Sequence, residues 1–312
     1  MKRVVYVTGC LGFIGFHVAQ ACLARGWYVR GVDKGTYAAN WNLLPILENY
    51  KNFTFEHKDI NDLDRIYDCD YFINTAAETH VDNSLEESDC FVHSNINGVH
   101  HILKLINQKK YRKPIFLHFS TDEVYGDIEV GSHTEDDTLA PSNPYSATKA
   151  AADMLVIAWG RSHKLPYIIV RPTNNYGIGQ YVEKLIPKTC KFLTLGKKID
   201  LHNNGTPVRT WLNAKDTAQA VITIIEAGVV NEIYNISGPY QTENINVVKK
   251  IFELFGINDD PSNHITHMER QGQDIRYSID DTKLRKLGWN PQAVFDDELK
   301  DIVKYYTENF IW

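Results

Sequence analysis

Cysteine, excess basic charge and long apolar runs are all scarce in this sequence. The 312 residues include five cysteines, an odd number without C-x-x-C spacing, which argues against a disulfide framework or a thiolate metal site. Lysine and arginine number 33 against 39 aspartates and glutamates, so the net charge of -6 argues against a nucleic-acid or anionic-membrane partner. No apolar run reaches the length of about 18 residues that a membrane span needs. We therefore expect a protein of a reducing, cytoplasmic compartment.

Histidines are numerous, but their spacing does not predict a metal site. His80, His93, His100 and His101 lie within a short stretch, yet no H-x-x-x-H or H-x-x-E-H set with accompanying acids is present. The sequence therefore predicts no metal ion.

Short apolar runs alternate with helical patterns through the first half of the chain. The strand-like runs are "RVVYVTG", "YVRGVD", "FTFEHKD", "YFINTAA", "PIFLHFS" and "PYIIVRP". This alternation predicts an α/β protein with a Rossmann-type, doubly wound parallel sheet over residues 1–172. Mixed short strands and helices follow and predict a smaller mixed α/β C-terminal lobe over residues 173–312. The strand and helix patterns around 209–236 predict that the chain returns there to the first domain.

The N-terminal stretch "VYVTGCLGFIGFH" predicts a dinucleotide site. Its basic and then apolar beginning also fits a signal peptide, but Gly9, Gly12 and Gly15 are better explained by a strand, a turn and a helix. Glycine lets the backbone approach a pyrophosphate at a helix N-terminus, although glycines can also merely tighten such a turn. Asp33 ends the second strand, where an acid binds ribose hydroxyls and favours NAD over NADP. Lys34 weakens that preference slightly.

The segment "NPYSATK" places Tyr145 and Lys149 four residues apart near the start of a predicted helix. On one helical face, a lysine ammonium can lower the pKa of the phenol, which then serves as a base for a sugar hydroxyl. The spacing alone is common. Together with Thr121 after a strand and the glycine turn, it becomes specific.

At this point the chain resembles the extended short-chain dehydrogenase/reductase family, and within it the nucleotide-sugar 4,6-dehydratases. The resemblance runs nearly end to end through the segments "TGCLGFIG", "VDKGTYAAN", "NTAAETHVDNS", "STDEVYGD", "NPYSATK", "NNYG", "EKLIP", "RTWL" and "DIRYSIDDTKLRKLGW". It implies an NAD-dependent lyase acting on a nucleoside-diphosphate hexose in deoxysugar biosynthesis, such as that of rhamnose. Epimerases and decarboxylases share the Tyr/Lys pair, whereas the "TDE" triplet is typical of dehydratases.

The resemblance also assigns roles around that triplet. It implies that Tyr145 is the base at the C4 hydroxyl and that Thr121 positions the C4 oxygen. It implies further that Glu123 is the base at C5 and the later proton donor, and that Asp122 is the acid for the departing C6 hydroxyl. Two adjacent carboxyl groups can reach two adjacent carbons. Asp122 must hold a proton near neutral pH, which burial beside the charge of Glu123 could supply.

Further contacts are implied only by the resemblance. The cofactor contacts would be Gly9, Gly12, Phe13, Ile14, Gly15, Asp33, Lys34, Asp59, Ile60, Ala76, Ala77, Tyr145, Lys149 and Asn175. The substrate contacts would be Ser84, Thr121, Asn174, Lys184, Leu185, Arg209, Asn244 and Arg270. The guanidinium groups of Arg209 and Arg270 suit the oxygens of a diphosphate.

Departures from the family pattern leave the nucleotide open. "DLHN", residues 200–203, replaces a common "PIYG", and "RQGQD", residues 270–274, replaces "RPGHD". dTDP and UDP are therefore both retained. A 4-epimerase or decarboxylase of the same fold and a non-catalytic NAD-binding regulatory protein remain alternatives. The resemblance further implies a homodimer that pairs the helices over 145–161 and 97–109 with their copies.

Overall fold

The computed structural model describes residues 2–270 and 274–309. The strands are β1 (Val4–Thr8), β2 (Tyr28–Asp33), β3 (Phe53–His57), β4 (Tyr71–Asn74), β5 (Ile115–Phe119), β6 (Tyr167–Pro172), β7 (Asn174–Tyr176), β8 (Ile199–His202), β9 (Val208–Asn213), β10 (Glu232–Ile236), β11 (Tyr240–Glu243) and β12 (Ile265–Met268).

The helices connect these strands. They are α1 (Phe13–Ala24), α2 (Leu44–Glu48), α3 (Val81–Glu86), α4 (Asp89–Phe91), α5 (Gly98–Asn107), α6 (Pro144–His163), α7 (Leu185–Thr194), α8 (Ala214–Ala227), α9 (Asn244–Leu254), α10 (Thr282–Arg285) and α11 (Phe295–Glu308). Short helical turns add Trp41–Leu43, Ile60–Asp62, Val92–Asn97, Asp122–Tyr125, Asn203–Gly205 and Pro261–Asn263.

Seven strands form one parallel sheet in the order β10-β6-β5-β4-β1-β2-β3. The predicted α/β class and doubly wound sheet are confirmed. The strand order reverses at β1, which pairs with β2 on one side and β4 on the other. In such sheets the connections leave in opposite directions at the reversal and open a crevice at the carboxyl ends of the strands.

Alternate residues of each strand pack on opposite faces of the sheet. Val5 and Val7 of β1 belong to a core that includes residues of α1 and α8, whereas Tyr6 belongs to a second core with residues of α5 and α6. Both faces are therefore covered by helices, which explains why these strands are nearly continuous apolar runs. The two cores hold the strand ends rigidly, and the candidate site lies on those ends.

The later part of the chain forms a smaller mixed lobe. Strand β9 pairs with β7 and β11 in a three-stranded sheet, and β8 pairs with β12. An aromatic cluster of Tyr176, Trp211 and Phe295 packs on the side of this sheet that faces α7, α9 and α11. Between these elements α8 packs on α1, and β10 pairs with β6 at the edge of the large sheet. The division of the chain at residue 172 into two domains stays a prediction.

No helix among the described residues is both long and apolar enough to cross a membrane.

Candidate active site

A cavity of about 290 Å³ opens at the carboxyl ends of the central strands. Its walls come from the segments that directly follow β1, β2, β4, β5 and β6, so the topology of the sheet brings them together. Thirteen of the fourteen predicted cofactor residues line it, namely Gly9, Gly12, Phe13, Ile14, Gly15, Asp33, Lys34, Asp59, Ile60, Ala76, Ala77, Tyr145 and Asn175. Lys149 lies outside the described lining.

The glycine turn between β1 and α1 is closed so tightly that it excludes side chains. Gly9 has a φ of +68°, a left-handed conformation that favours glycine. A Cβ atom at Gly15 would lie 2.1 Å from the carbonyl oxygen of Gly9 and 2.6 Å from Oγ1 of Thr75. The turn before α1 therefore borders the cavity with glycine backbone, and the amide groups at the N-terminus of α1 are suited to a pyrophosphate. The residues present fit a dinucleotide.

The carboxylate of Asp33, at the end of β2, is held in place by hydrogen bonds from two backbone amides. It accepts from the amides of Leu11 (2.9 Å) and Gly35 (2.8 Å). Burial raises the pKa of Asp33, and these two hydrogen bonds oppose that shift. Each carboxylate oxygen can accept a further hydrogen bond. The orientation is therefore preset for ribose hydroxyl groups at the cavity wall.

The neighbouring Lys34 is neutralised by acids rather than left as an open cation. Its ammonium lies 3.4 Å from Glu78 and 3.7 Å from Asp59, and it donates to Ser94 Oγ at 2.9 Å. A lysine paired in this way offers little attraction to an additional phosphate. Lys34 therefore weakens the preference for NAD over NADP less than the sequence alone predicted.

Asp122 and Glu123 begin a single helical turn capped by Thr121. The hydroxyl of Thr121 accepts from the amide of Glu123 at 3.3 Å and donates to Oδ1 of Asp122 at 3.2 Å. Asp122 is only 3% exposed, and its Oδ2 has no hydrogen-bond partner among the described residues. Burial, followed by the charge of Glu123, raises the pKa of Asp122 to about 7. This value matches what a proton donor near neutral pH requires.

Glu123 lines the same cavity in a mixed electrostatic environment. Burial raises its pKa, while the charges of Arg209 and Lys184 oppose the shift. A hydrogen bond with the side chain of Asn143 also favours the carboxylate. Two adjacent carboxyl groups thus reach one cavity with distinct surroundings, as an acid and a base require.

Tyr145 and Lys149 lie on α6, whose start is fixed by a capping box. The side chain of Asn143 accepts from the amide of Ser146 at 2.9 Å, and the Ser146 hydroxyl lies 3.3 Å from the amide of Asn143. This cap sets the direction in which Tyr145 enters the cavity. Lys149 is 3% exposed, and its ammonium donates to the carbonyl oxygen of Phe119 at 2.6 Å. Burial lowers the pKa of Lys149 to about 8.

The prediction that Lys149 lowers the pKa of Tyr145 is wrong for the protein without bound cofactor. Burial, and then the negative charge of Glu123, raise the pKa of Tyr145 above its usual value. The ammonium of Lys149 is directed to the carbonyl oxygen of Phe119 instead. Positive charge from a bound molecule would oppose this upward shift of the Tyr145 pKa.

Of the predicted substrate residues, Thr121, Asn174 and Lys184 line the cavity. The others lie outside its described lining, namely Ser84, Leu185, Arg209, Asn244 and Arg270. Ser84 supports the site from behind, since its hydroxyl accepts from the amide of Tyr145 at 3.3 Å. Arg209 is 7% exposed and donates to the carbonyl oxygen of Asp274 at 3.1 Å.

Arg270 forms a two-pronged ion pair with Asp82. Its Nε and Nη2 lie 2.6 and 2.7 Å from the two carboxylate oxygens. His202 lies 3.5 Å from the same carboxylate, and Asn203 accepts from the amide of Arg270 at 3.0 Å. Two residues of the unusual segment 200–203 therefore contact the Arg270–Asp82 pair, and Arg270 is one of the residues predicted to bind the diphosphate. The rest of the "RQGQD" departure, residues 271–273, lies outside the described residues.

Sequence reasoning assigned no role to Tyr277 or Asn143. Tyr277 is 3% exposed, and its hydroxyl lies 3.5 Å from Oε2 of Glu123. Tyr277 lies in the segment "DIRYSIDD", which matches the family pattern, and this match could have indicated a functional role for it. Asn143 stands directly before the predicted helix, so its role as a cap was also readable from the sequence.

Among the residues that the structure describes, no group of three or more histidine, cysteine, aspartate or glutamate side chains could hold a metal ion.

Comparison with known proteins places this site in a family. The sequence model described as GDP-mannose 4,6 dehydratase matches residues 6–302. The dTDP-glucose 4,6-dehydratase of Haemophilus influenzae is 38% identical over 331 residues, covering 98% of each chain. An Arabidopsis thaliana protein named trifunctional UDP-glucose 4,6-dehydratase/UDP-4-keto-6-deoxy-D-glucose 3,5-epimerase/UDP-4-keto-L-rhamnose-reductase is 39% identical over 321 residues, 99% of this chain and 48% of that protein.

A solved structure agrees with these relatives. The dTDP-glucose 4,6-dehydratase DesIV of Streptomyces venezuelae, crystallised with NAD and the ligand TYD, superposes with a TM-score of 0.93 at 34% identity and covers 98% of this chain and 97% of that one. The family model and these matches extend over almost the whole chain. The chain therefore belongs to the GDP-mannose 4,6 dehydratase family and, within the extended short-chain dehydrogenase/reductases, to the nucleotide-sugar 4,6-dehydratases.

Proposed function

We propose that this chain is an NAD-dependent nucleoside-diphosphate-glucose 4,6-dehydratase that forms the 4-keto-6-deoxy sugar. One observation carries the proposal: Asp122 and Glu123 lie side by side on the cavity wall with Tyr145, and the pKa of Asp122 is raised to about 7. Neither 4-epimerisation nor decarboxylation requires an acid beside the C5 base. A non-catalytic NAD-binding protein would not need to retain Tyr145 and Lys149, and both are present.

Different residues of the cavity wall bind different parts of the cofactor. The glycine turn and the N-terminus of α1 bind the pyrophosphate, and Asp33 binds the adenosine ribose. Lys149 and Tyr145 lie at the nicotinamide end. When bound, the nicotinamide would supply a hydride acceptor for C4 in its oxidised form and a hydride donor for C6 in its reduced form, and the positive charge of the oxidised form would favour an ionised Tyr145.

The side chains then move protons on three neighbouring carbons. Tyr145 takes the proton of the C4 hydroxyl, while Thr121 holds the C4 oxygen. The C4 carbonyl acidifies the C5 hydrogen, which Glu123 removes as a proton. Asp122 donates a proton to the C6 hydroxyl, which leaves as water. Two carboxyl groups with different protonation states perform the elimination together. After a hydride has been delivered to C6, Glu123 gives a proton back to C5, which completes the 4-keto-6-deoxy sugar.

Asp122 gives the reaction a dependence on pH. Its acid form is present below the pKa of about 7 and is lost as the pH rises through that value. We expect the rate of elimination to fall on the alkaline side of neutrality for this reason. Asp122→Asn should remove that alkaline decline and slow elimination by roughly 100- to 10,000-fold, because an amide cannot supply the proton. The exposed control Asp136→Asn should leave the profile of kcat against pH unchanged.

The proposed substrate contacts are those that the family resemblance implies, and the lining of the cavity supports part of them. Asn174 and Lys184 line the cavity and bind the sugar nucleotide on the side of the smaller lobe. Arg209 and Arg270 bind the diphosphate, and Leu185, Asn244 and Ser84 complete or support this subsite. For Arg270 this requires exchange of Asp82 for phosphate oxygens, since both compete for the same guanidinium fork.

The nucleotide is dTDP or UDP. The Haemophilus relative is named for dTDP-glucose and the Arabidopsis relative for UDP-glucose, at nearly equal identity to this chain. The plant name includes a UDP-4-keto-L-rhamnose reductase, which supports a product used in deoxysugar formation, such as that of rhamnose.

We also propose that two copies of the chain form a homodimer through α5 and α6. Large apolar side chains are exposed near these helices, including Leu85, Val92 and Met154, which is 49% exposed. Exposed large apolar side chains on elements that pack against one another support an interface with a second copy.

The direct test is a panel of dTDP-, UDP-, GDP- and CDP-glucose with UDP-GlcNAc, incubated with the protein and NAD in deuterated water. We expect a 4-keto-6-deoxy product from dTDP-glucose or UDP-glucose, with deuterium at C5. A 4-epimer without deuterium at C5 would instead support the epimerase alternative. No change in any member of the panel would contradict the proposal.

A further inference from the structure

A chain of hydroxyl and carboxyl groups leads away from Glu123 on the side facing the smaller lobe. Oε2 of Glu123 lies 3.5 Å from the hydroxyl oxygen of Tyr277. The hydroxyl of Tyr277 donates a hydrogen bond to Oδ2 of Asp274. The hydroxyl of Ser142 donates to Oδ1 of the same carboxylate at 2.6 Å. These four side chains thus form one continuous series.

The series runs from the buried site to the surface. Tyr277 and Asp274 are 3% and 6% exposed, whereas Ser142 is exposed. Arg209 stabilises the middle, because its guanidinium lies 4.2 Å from the centre of the Tyr277 ring and donates to the carbonyl oxygen of Asp274 at 3.1 Å. An immobilised series of polar groups is what proton transfer over several ångströms requires.

The direction of the hydrogen bond between Tyr277 and Asp274 suits an outward transfer from Glu123. A phenol has one proton, and the shorter contact of Tyr277 directs it to Asp274. A lone pair of the Tyr277 oxygen is then available to Glu123. This arrangement favours Glu123 in its protonated form, the form that exists after it has taken the C5 proton. The 3.5 Å contact is long, as catalytic hydrogen bonds commonly are before substrate binds.

We propose that Tyr277, Asp274 and Ser142 form a proton relay through which Glu123 exchanges the C5 proton with solvent. This inference rests on the proposed dehydratase function. The O–H bond of protonated Glu123 breaks as its proton passes to the Tyr277 oxygen, and the Tyr277 proton passes to the Asp274 carboxylate. Protonated Asp274 then gives a proton to the Ser142 oxygen, as the Ser142 hydroxyl turns away from Asp274 and releases its own proton to solvent. No group is oxidised or reduced, and a solvent proton returns by the same route.

The relay is tested by the deuterium content of C5 in product formed in deuterated water from unlabelled substrate. This content is a ratio within the product, so it does not depend on how much protein is active. The wild-type chain should place deuterium at C5 in most molecules. Tyr277→Phe and Asp274→Asn should lose most of that label, because Glu123 then returns the original proton. The backbone contact of Asp274 with Arg209 survives the second substitution.

Matched variants separate the relay from a general effect on the fold. Tyr6→Phe removes another buried tyrosine hydroxyl, which accepts from the amide of Tyr67 at 3.1 Å, and should keep full labelling. Ser142→Ala at the exposed end should reduce the label, whereas Ser132→Ala, also exposed, should not.

The outcomes distinguish the two proposals. Full deuterium at C5 in product from Tyr277→Phe, Asp274→Asn and Ser142→Ala would overturn the relay alone. A wild-type chain that forms no 4-keto-6-deoxy product from any substrate of the panel would contradict the proposed function, and the relay with it. If either buried substitution abolishes turnover, the comparison of Ser142→Ala with Ser132→Ala still decides the question.

Discussion

Glu123→Gln should stop the reaction after the first hydride transfer. The amide cannot take the C5 proton, so we expect product formation to fall by roughly 100- to 10,000-fold. Tyr145, Thr121 and Lys149 are unchanged, and oxidation at C4 should still proceed. The variant should therefore accumulate the reduced cofactor together with the 4-keto hexose. Absorbance of reduced nicotinamide in a single turnover, followed by product analysis, measures both steps.

The exposed Glu129 provides the control for this substitution. Glu129→Gln makes the same chemical change away from the cavity and should behave as wild type in both steps. Normal product formation by Glu123→Gln would remove Glu123 from the role of C5 base. Failure of the first hydride transfer would show that the carboxylate also contributes to substrate binding.

Tyr145→Phe should block the reaction one step earlier. Without the hydroxyl, no base of the described site takes the C4 proton, and we expect the first hydride transfer to slow by roughly 100- to 10,000-fold. Reduced cofactor should not accumulate at any stage, in contrast to Glu123→Gln. The aromatic ring is retained, so its edge contact with Phe91 and the packing of α6 should persist.

The control for this variant is Tyr6→Phe, which removes the hydroxyl of another buried tyrosine, one that packs in the second core and does not line the cavity. Its first hydride transfer should match wild type. Rapid reduction of the cofactor by Tyr145→Phe would show that another group, such as Thr121, removes the C4 proton. The two variants together assign the two proton abstractions to different side chains, which neither variant does alone.

Local patterns in the sequence predicted the supporting elements well. The helix predicted directly after the glycine turn is α1, Phe13–Ala24, and the helix predicted over 145–161 lies within α6, Pro144–His163. The glycine turn is a short-range signal that acts within one or two helical turns, and so is the Asn143 cap, which the prediction did not use. The strands were equally readable because a parallel sheet covered on both faces needs continuous apolar runs.

Contacts between distant segments were not predictable in this way. Tyr277 reaches Glu123 across 154 positions of the chain, and Arg270 reaches Asp82 across 188. A spacing pattern contains no information about such pairs. The expected effect of Lys149 on Tyr145 was wrong for a related reason, since the position of the ammonium depends on the carbonyl group of Phe119 in β5.

The amino-acid sequence alone predicted the fold class, the dinucleotide turn and the Tyr145/Lys149 pair, because these depend on local backbone geometry and on short spacings. The roles of Asp122 as the acid and Glu123 as the C5 base were implied by the family resemblance and stay predictions. The tertiary structure decided the raised pKa of Asp122, the pairing of Arg270 and the contacts that connect Glu123 with Tyr277, Asp274 and Ser142. Burial and the distance between charges set these properties, and both exist only after remote segments have packed against one another.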